Sequence, residues 1–458
     1  MLSSEIINIK NNIYFYFQNK CESLVKDSVI FSHFDEILLF FIGLTLLAST
    51  FLQSEKIGLL AFVVVVLTLL KLFIKKGSKV ALTKFDGALI VYFLIAFIST
   101  INSSLLAQSI HGFLKTVIYI LYYFSVVNYF QSNQSKIKGI FIFVAGLCCF
   151  EGMVALVQNL GGVEQIATWQ DSNYINPEDA ISRAYGTLKP YNPNLLGGYL
   201  VAGFPYVLGA AALLITGKRK RGTLVSLTAV IICALAIFVT GSRGAYLGLG
   251  ATIAALIAVV TIIINADFST QVKLKAIWHK IVAAIIASFA LILVAVPKVT
   301  KRLLSIFILR GDSSTSFRMN VYNSSWQMFC DNWFLGIGAG NQTFREIYGL
   351  YMLTGYDALS TYSVPLEIAV ECGIFGLLAF TIFIVWFMYD ACKFIRLNCS
   401  TIGLAEKIAV CSAILLIIGV MTHGLFDTIF YRPQVQFLFW TMIAMASATI
   451  KKDRLNEV

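Results

Sequence analysis

The chain has 458 residues, of which 58% are hydrophobic and only 13% are charged, and its formal net charge is +11. A soluble protein carries roughly twice that share of charged residues. The composition therefore excludes an ordinary soluble globular protein and indicates an integral membrane protein. The positive charge does not indicate nucleic-acid binding, because the basic residues lie in short loops between apolar segments.

About twelve apolar stretches are long enough to cross a bilayer, which takes about twenty residues of helix. Such spans must be helical because lipid cannot satisfy the polar groups of the backbone. We therefore expect an all-α polytopic integral membrane protein with about twelve transmembrane helices. The predicted spans are 36–53, 57–74, 86–101, 109–130, 138–160, 195–216, 223–241, 244–265, 278–297, 363–390, 407–423 and 434–450.

Five basic segments fall on one side of the membrane when the spans are threaded in order. They are 75–79, 217–222, 266–280, 391–407 and the tail that begins at 451. Because lysine and arginine in short loops mark the cytoplasm, both termini are predicted to be cytoplasmic. The predicted layout is a cytoplasmic segment 1–35, a transmembrane domain 36–450 and a cytoplasmic tail 451–458, with larger external loops at 161–194 and 298–362. No cleavable signal peptide is expected in the first thirty residues.

The external segment 298–362 is too long for a plain connector and is expected to have structure of its own. Ser316 can cap a helix over 316–329, for which we expect a position on the membrane face. The sequence GIGAGN at 336–341 predicts a tight turn. A phosphate-binding loop is the weaker interpretation, because the chain contains no P-loop sequence.

Threading also places unusual polar residues on the outer side. Arg243, in TGSRGAYLG, lies close to hydrocarbon, where a guanidinium either snorkels or meets an anion such as phosphate. Arg318 begins the external helix and is either a solvated surface charge or a second anion contact. Asn194 precedes a predicted span, where it caps the helix or joins the same pocket. Arg183 and Arg432 can complete a positive pocket on this side.

His423 and Asp427, in THGLFDTIFYRP, are four residues apart and are predicted to share one face of a helix. Asp427 can then orient the imidazole and raise its basicity, as a general base requires. The alternative is a buried structural pair between helices. No group of histidine, cysteine and carboxylate has metal-site spacing, and the nine cysteines show no paired spacing, so we expect no metal, no cofactor and no disulfide framework.

Taken in order, these motifs resemble the O-antigen ligase and polymerase superfamily. The resemblance rests on the Arg-…-Pro-Asn entry motif, GSRGA, the Arg-…-Trp external helix, LGIGAGN and LEIAVECGIFG, over about residues 180 to 380. It implies a glycosyltransferase-like membrane fold in the bacterial cytoplasmic membrane. The implied reaction transfers a glycan from an undecaprenyl diphosphate carrier to a glycan or glycolipid acceptor on the outer face. Arg243 and Arg318 would engage the donor diphosphate, without a metal.

Tyr362 marks a departure from the ligases, which carry an essential histidine at about this distance before the Glu of the E-x-G motif. A phenol is a poor base at neutral pH, so His423 with Asp427 is predicted to take over that role and Tyr362 to contact substrate. The sequences STYSVPLEIAVECG and HGLFDTIFYRPQVQFLFW are similar to the cyanobacterial IctB branch, which is named for inorganic-carbon transport. Transport of bicarbonate or another anion is therefore the alternative function.

Overall fold

The computed structural model describes residues 28–74, 82–162, 183–217, 220–266, 272–295, 313–397 and 402–456. These residues form helices joined by turns, with no strand among them, so the predicted all-α class is confirmed. The predicted loop 75–79, most of the external loop 161–194 and the start of the external loop 298–362 lie outside the described ranges.

Fourteen helices of eight or more residues lie within the described ranges. In chain order they are α1 (Phe34–Phe51), α2 (Ser54–Ile74), α3 (Lys84–Ile101), α4 (Leu106–Ser132), α5 (Ile137–Gly161), α6 (Pro193–Thr216), α7 (Lys220–Val239), α8 (Arg243–Ala266), α9 (Val272–Ala295), α10 (Ser313–Asp331), α11 (Asn341–Tyr348), α12 (Val364–Leu397), α13 (Leu404–Gly424) and α14 (Pro433–Asn456). A short helix, Val29–Ser32, precedes α1.

Ten of these helices, α1 to α8 with α12 and α13, are long and apolar enough to cross a membrane. They coincide with ten of the twelve predicted spans, which confirms a multi-pass membrane protein. The other two predicted spans, 278–297 and 434–450, correspond to α9 and α14, which are helical but are not among those ten. The predicted tail from 451 begins inside a helix, because α14 continues to Asn456.

The last helix, α14, is enclosed by the bundle, where it contacts α1, α4, α6 and α13. Its polar side chains find partners inside the protein: Thr441 is 3.0 Å from the Tyr122 hydroxyl, and Ser447 is 3.0 Å from the Tyr123 hydroxyl. A helix enclosed by protein has no lipid-facing surface that must be apolar. This explains why α14 is less apolar than the other spans.

Two ion pairs join helix ends that the threading assigns to the cytoplasm. Lys71 Nζ lies 2.6 Å from Asp35 Oδ1, and Lys451 Nζ lies 2.9 Å from Asp86 Oδ2. The side chains of Asp86 and Lys451 are fully buried. The structure therefore places the start of α1 with the end of α2, and the start of α3 with the end of α14, as the threading requires.

The long helix α12 is broken at Gly373, whose φ of 66° and ψ of −172° are not helical. The break frees backbone groups that lipid cannot satisfy, and residues 333–338 satisfy them. The Ile374 amide donates to the Trp333 carbonyl at 2.8 Å. A Cβ at position 373 would overlap the Phe334 carbonyl, so the close approach of the two segments requires glycine.

Beyond the break, residues 374–397 give about 36 Å of helix, which is enough to cross the hydrocarbon core. The part before the break, 364–372, therefore lies at the edge of the spans. Ser99, near the end of α3, donates to the Glu371 carbonyl at 2.5 Å and marks the same level. Glu367 and Glu371 thus lie at one end of the bundle and not at its middle.

The segment after residue 312, which the threading assigns to the outside, has a small core of its own and is more than a connector. Helices α10 and α11 bury Val321, Met328, Phe344 and Tyr348 against Val370 of α12. The helix predicted over 316–329 is present as α10. It packs on this core through Val321 and Met328, and its predicted position on the membrane face stays a prediction. The pattern gave no indication of α11, which has only eight residues.

The orientation can be tested with two engineered cysteines in a variant that lacks the nine native ones. Gln342→Cys is exposed on α11, and Leu397→Cys is exposed at the opposite end of α12. Because basic loops stay in the cytoplasm, an impermeant maleimide is expected to label the first site in intact cells and the second only after permeabilisation. The reverse pattern would contradict the predicted topology.

Candidate functional site

Arg318 lies between the external helix α10 and the turn after α13. Its Nη1 donates to the Phe426 carbonyl at 2.9 Å, and its Nη2 lies 3.5 Å from Oδ2 of Asp427. The guanidinium carbon is 5.5 Å from the centroid of the Tyr362 ring. The structure therefore brings together three of the predicted site residues. The Arg318 side chain remains 28% exposed, so a ligand can reach it.

Tyr362 has an unusual backbone conformation, with a φ of 57°, and no other non-glycine residue in the described ranges has a positive φ. Such conformations persist where the surroundings over-determine them, and they cluster at functional sites. The Thr361 amide, one residue earlier, donates to Glu367 Oε2 at 2.6 Å. The Tyr362 carbonyl accepts from the Tyr322 hydroxyl at 3.2 Å. Contacts on both sides therefore hold the strained residue under Arg318.

The Tyr362 phenol is poorly suited to act as a base. Burial raises its pKa above the usual value and the charge of Asp427 raises the pKa further, while Arg318 and Arg432 act in the opposite direction. The phenol therefore stays protonated near pH 7 and is available as a hydrogen-bond donor. Arg432 is exposed, and its positive charge is one of the two that act to lower the pKa of Tyr362.

Arg183 is held beside the turn that precedes α8. Its Nε donates to the Thr240 carbonyl at 2.9 Å and its Nη2 to Asn194 Oδ1 at 2.6 Å. The predicted capping role of Asn194 is wrong: Asn192 is the N-cap and accepts from the Asn194 amide at 2.8 Å, because Pro193 takes the first helical position. Asn194 orients Arg183 instead.

Arg243 is the first residue of α8 and is half-buried, directly after the turn that Arg183 contacts. The next residue, Gly244, packs on His423 of α13. A Cβ at position 244 would lie 2.5 Å from His423 Cδ2 and 2.9 Å from its Nε2. The imidazole therefore adjoins the residue that follows Arg243, which brings these two predicted residues into one neighbourhood.

The predicted hydrogen-bonded pair of His423 and Asp427 is not formed. Helix α13 ends at Gly424, so Asp427 lies in the turn beyond the helix and does not share its face. Asp427 contacts Arg318, while both ring nitrogens of the fully buried His423 have no hydrogen-bond partner among the described residues. Buried polar atoms are nearly always paired, so an imidazole with this surplus capacity can accept or donate to a substrate group.

Helix α6 connects the two groups of residues through adjacent glycines. A Cβ at Gly197 would lie 3.2 Å from Ser242 Cβ, in the turn before α8. A Cβ at Gly198 would lie 2.9 Å from Ile429 Cβ, in the segment after Asp427. The start of α6 therefore packs against both turns, and the Arg183–Arg243 region and the Asp427–Arg432 region lie on either side of one helix end.

The GIGAGN turn is confirmed as a turn, with positive φ at Gly336, Gly338 and Gly340. The Gly338 amide donates to the Glu371 carbonyl at 3.1 Å, and the Gly340 amide donates to Glu371 Oε1 at 2.7 Å. These amides are used within the protein, so the turn is not arranged to bind phosphate. Among the described residues, no group of three or more histidine, cysteine or acidic side chains could hold a metal ion.

Comparison with known proteins indicates the family that this chain resembles. Residues 228–381 match a family model described as O-antigen ligase. The chain is 28% identical over 230 residues to the teichuronic acid biosynthesis protein TuaE of Bacillus subtilis (strain 168), a match that covers 47% of this chain and 43% of that protein. The chain thus matches less than half the length of this curated relative. The similarities confirm the resemblance to the O-antigen ligase and polymerase superfamily and support a glycan ligase-like or polymerase-like role.

The family match contains only part of the site. Arg243, Arg318 and Tyr362 lie within residues 228–381, whereas His423 and Asp427 follow that region. Arg183, Asn194 and Arg432 also lie outside it. The inclusion of Arg183, Asn194, His423 and Asp427 in the candidate site rests on the contacts described above, and that of Arg432 on its position five residues after Asp427. The similarity to the IctB branch stays a prediction.

The packing of His423 on α8 can be tested with two glycines of the same helix. Gly244→Ala is expected to lower the free energy of unfolding by about 1–3 kcal/mol, because the new Cβ overlaps the imidazole in a closely packed site. Gly250→Ala is the matched control, since a Cβ there meets nothing within 4 Å. Thermal unfolding of the purified variants in detergent measures the difference. Equal stability of the two would contradict the described contact.

Proposed function

We propose that this protein is a glycan ligase-like or polymerase-like transferase that uses an undecaprenyl-diphosphate-linked donor at the outer face of the bacterial cytoplasmic membrane. The observation that carries the proposal is the cluster of Arg318, Tyr362 and Asp427 at one end of the spans. A lipid-linked donor presents its diphosphate at the membrane surface. Arginines at the end of the spans are placed to meet it, because guanidinium matches phosphate oxygens in geometry and charge.

In the proposed reaction, an oxygen of an acceptor hydroxyl forms a bond to the anomeric carbon of the donor glycan. The bond between that carbon and the diphosphate oxygen breaks, and its electron pair leaves with the carrier diphosphate. Arg318 and Arg243 stabilise the negative charge on the leaving group, as preorganised donors do in other transferases. Asp427 holds the Arg318 side chain in place, with the Phe426 carbonyl as its second contact.

The hydroxyl proton of the acceptor must pass to a base. His423 is the better candidate, because its ring nitrogens have no hydrogen-bond partner in the described part of the chain and it adjoins the residue after Arg243. Tyr362 is unsuitable, since burial raises its pKa. We assign Tyr362 to substrate contact and to the orientation of Arg318, with Arg183, Asn194 and Arg432 completing the binding surface.

Anion transport is the alternative that the IctB similarity suggested. Transporter sites typically lie near mid-membrane, where helices are broken. Helix α12 is broken, but Glu367 and Glu371 lie at the end of the spans and accept from backbone amides of the protein. The arginines lie at that end as well. This placement supports a reaction on a membrane-bound substrate more than the passage of an ion.

Removal of either arginine tests the diphosphate contact. Arg318→Ala and Arg243→Ala are each expected to slow consumption of an undecaprenyl-diphosphate glycan by protein in liposomes by about ten- to 150-fold, because a charge-assisted contact contributes roughly 1.5–3 kcal/mol. Lysine at either position should restore activity only in part, since it cannot bind in a bidentate manner. Arg345→Ala is the control: Arg345 is exposed in the same external unit and pairs with Asp357 at 2.7 Å. Unimpaired turnover by the two arginine variants would contradict the proposal.

The base assignment has its own test. His423→Gln keeps hydrogen-bonding capacity but cannot accept a proton near pH 7, so transfer is expected to fall strongly while donor binding persists. His111→Gln, at the exposed start of α4, serves as the control for histidine loss. Both are assayed for transfer and for donor binding in the same liposomes. If His423→Gln transfers glycan at the parental rate, His423 packs α13 against α8 and is not the base.

A further inference from the structure

Two acidic residues of α12, Glu367 and Glu371, have no place in the reaction proposed above. They are one helical turn apart, on one face of the part of α12 that precedes the break, and are only 1% and 4% exposed. Buried carboxylates are costly unless they are hydrogen-bonded. Each of them accepts a hydrogen bond from the backbone of an external loop, and the two loops are different.

Glu367 holds the loop that carries Tyr362. Its Oε2 accepts from the amide of Thr361 at 2.6 Å, and Thr361 is itself fully buried. The Thr361 hydroxyl in turn donates to the Ser363 carbonyl at 2.8 Å. Tyr362 lies between these two residues, with its positive φ. The carboxylate therefore supplies the contact that fixes the strained backbone directly before the ring that Arg318 covers.

Glu371 holds the start of α11. Its Oε1 accepts from the amide of Gly340, the residue before that helix. Tyr348 at the other end of α11 donates to the Tyr356 carbonyl at 3.0 Å, and the Tyr356 ring lies 5.8 Å from that of Phe317. Phe317 precedes Arg318 on α10. A chain of contacts thus runs from Glu371 through the external unit to the guanidinium.

We propose that Glu367 and Glu371 are positioning residues, which hold Tyr362 and Arg318 in register with each other by tying two external loops to the first part of α12. The inference rests on the proposed function for its effect on donor use. Neither residue touches the substrate. The hydrogen-bond donors they meet are the neutral backbone amides of Thr361 and Gly340. The side-chain oxygen of glutamine can accept from such an amide in place of a carboxylate oxygen, so this role does not require the negative charge.

This last point separates positioning from a role as a proton or cation site. Glutamine preserves an acceptor oxygen for the amide of Thr361 or Gly340 but removes the charge. At position 367 it also places an amide nitrogen where Glu367 Oε1 has no hydrogen-bond partner among the described residues. Alanine removes the acceptor. A positioning role therefore predicts that glutamine rescues what alanine loses, and a charge role predicts that both substitutions fail.

The kinetic test compares E367Q, E367A, E371Q and E371A in liposomes that contain an undecaprenyl-diphosphate glycan. The alanine variants are expected to raise KM for the donor about tenfold or more with a smaller change in kcat, and the glutamine variants to stay within about threefold of the parent. Glu346→Ala, in the exposed part of α11, is the control. Glutamine variants as impaired as the alanine variants, or alanine variants with parental KM, would overturn the proposal.

A second measurement does not depend on the reaction. Hydrogen–deuterium exchange of the peptide over residues 358–366 reports on the Thr361 amide, which should exchange faster in E367A and at the parental rate in E367Q. The peptide over 336–343 reports on the Gly340 amide in E371A and E371Q in the same way.

If exchange follows this pattern but the parent consumes no donor, the proposed function fails while the positioning inference holds. Unchanged exchange in the folded alanine variants would refute the inference. If E367A does not fold, the glutamine variants still distinguish a positioning role from a role that requires the negative charge.

Discussion

The arrangement of the outer end depends on one constraint: a helix broken at the membrane edge must have its backbone groups satisfied by protein. Helix α12 breaks at Gly373, and residues 333–338 supply the missing partners, beginning with the Trp333 carbonyl. The loop that does so connects α10 to α11. The break therefore fixes the external unit to the spans, and Arg318 on α10 acquires a defined position relative to Tyr362 at the start of α12.

The charged side chains at the two ends of the bundle differ in their exposure. Asp86 and Lys451 form a sealed pair with no exposed side-chain surface, and such a pair offers no access to a ligand. At the other end, the side chains of Arg318 and Asp427 are 28% and 14% exposed. Arg432 is exposed as well, and its charge acts to lower the pKa of Tyr362. Desolvation makes a buried pair a weak source of stability. The partly exposed cluster keeps its hydrogen-bond donors within reach of an anion at the membrane surface.

The site is assembled from segments that are far apart in the chain. Residues 228–381, the region that matches the O-antigen ligase family, contribute Arg243, Arg318 and Tyr362. The segment that leads into α6 and the first turn of that helix lie outside that region, as do the last turn of α13 and the segment after it, and together they contribute the remaining predicted residues. Adjacent glycines at the start of α6 let its backbone approach both neighbouring turns. Small residues at this point, and not a continuous motif, bring the two groups to one helix end.

The sequence by itself determined the membrane class, ten of the spans and the turn at GIGAGN, because these follow from local apolarity and glycine conformation. From the placement of the basic loops it also predicts the side of the membrane on which the arginines gather. It did not reveal that Asn192 caps α6 in place of Asn194, or that Asp427 contacts Arg318 while the ring nitrogens of His423 find no hydrogen-bond partner within the ranges that the structure describes. Both contacts depend on where a helix begins or ends, and a shift of one residue changes which side chain can make the contact. The roles of Glu367 and Glu371 were equally hidden, since a buried carboxylate has the same sequence signature whether it binds an ion or a backbone amide. Only the tertiary structure places Thr361 and Gly340 against them.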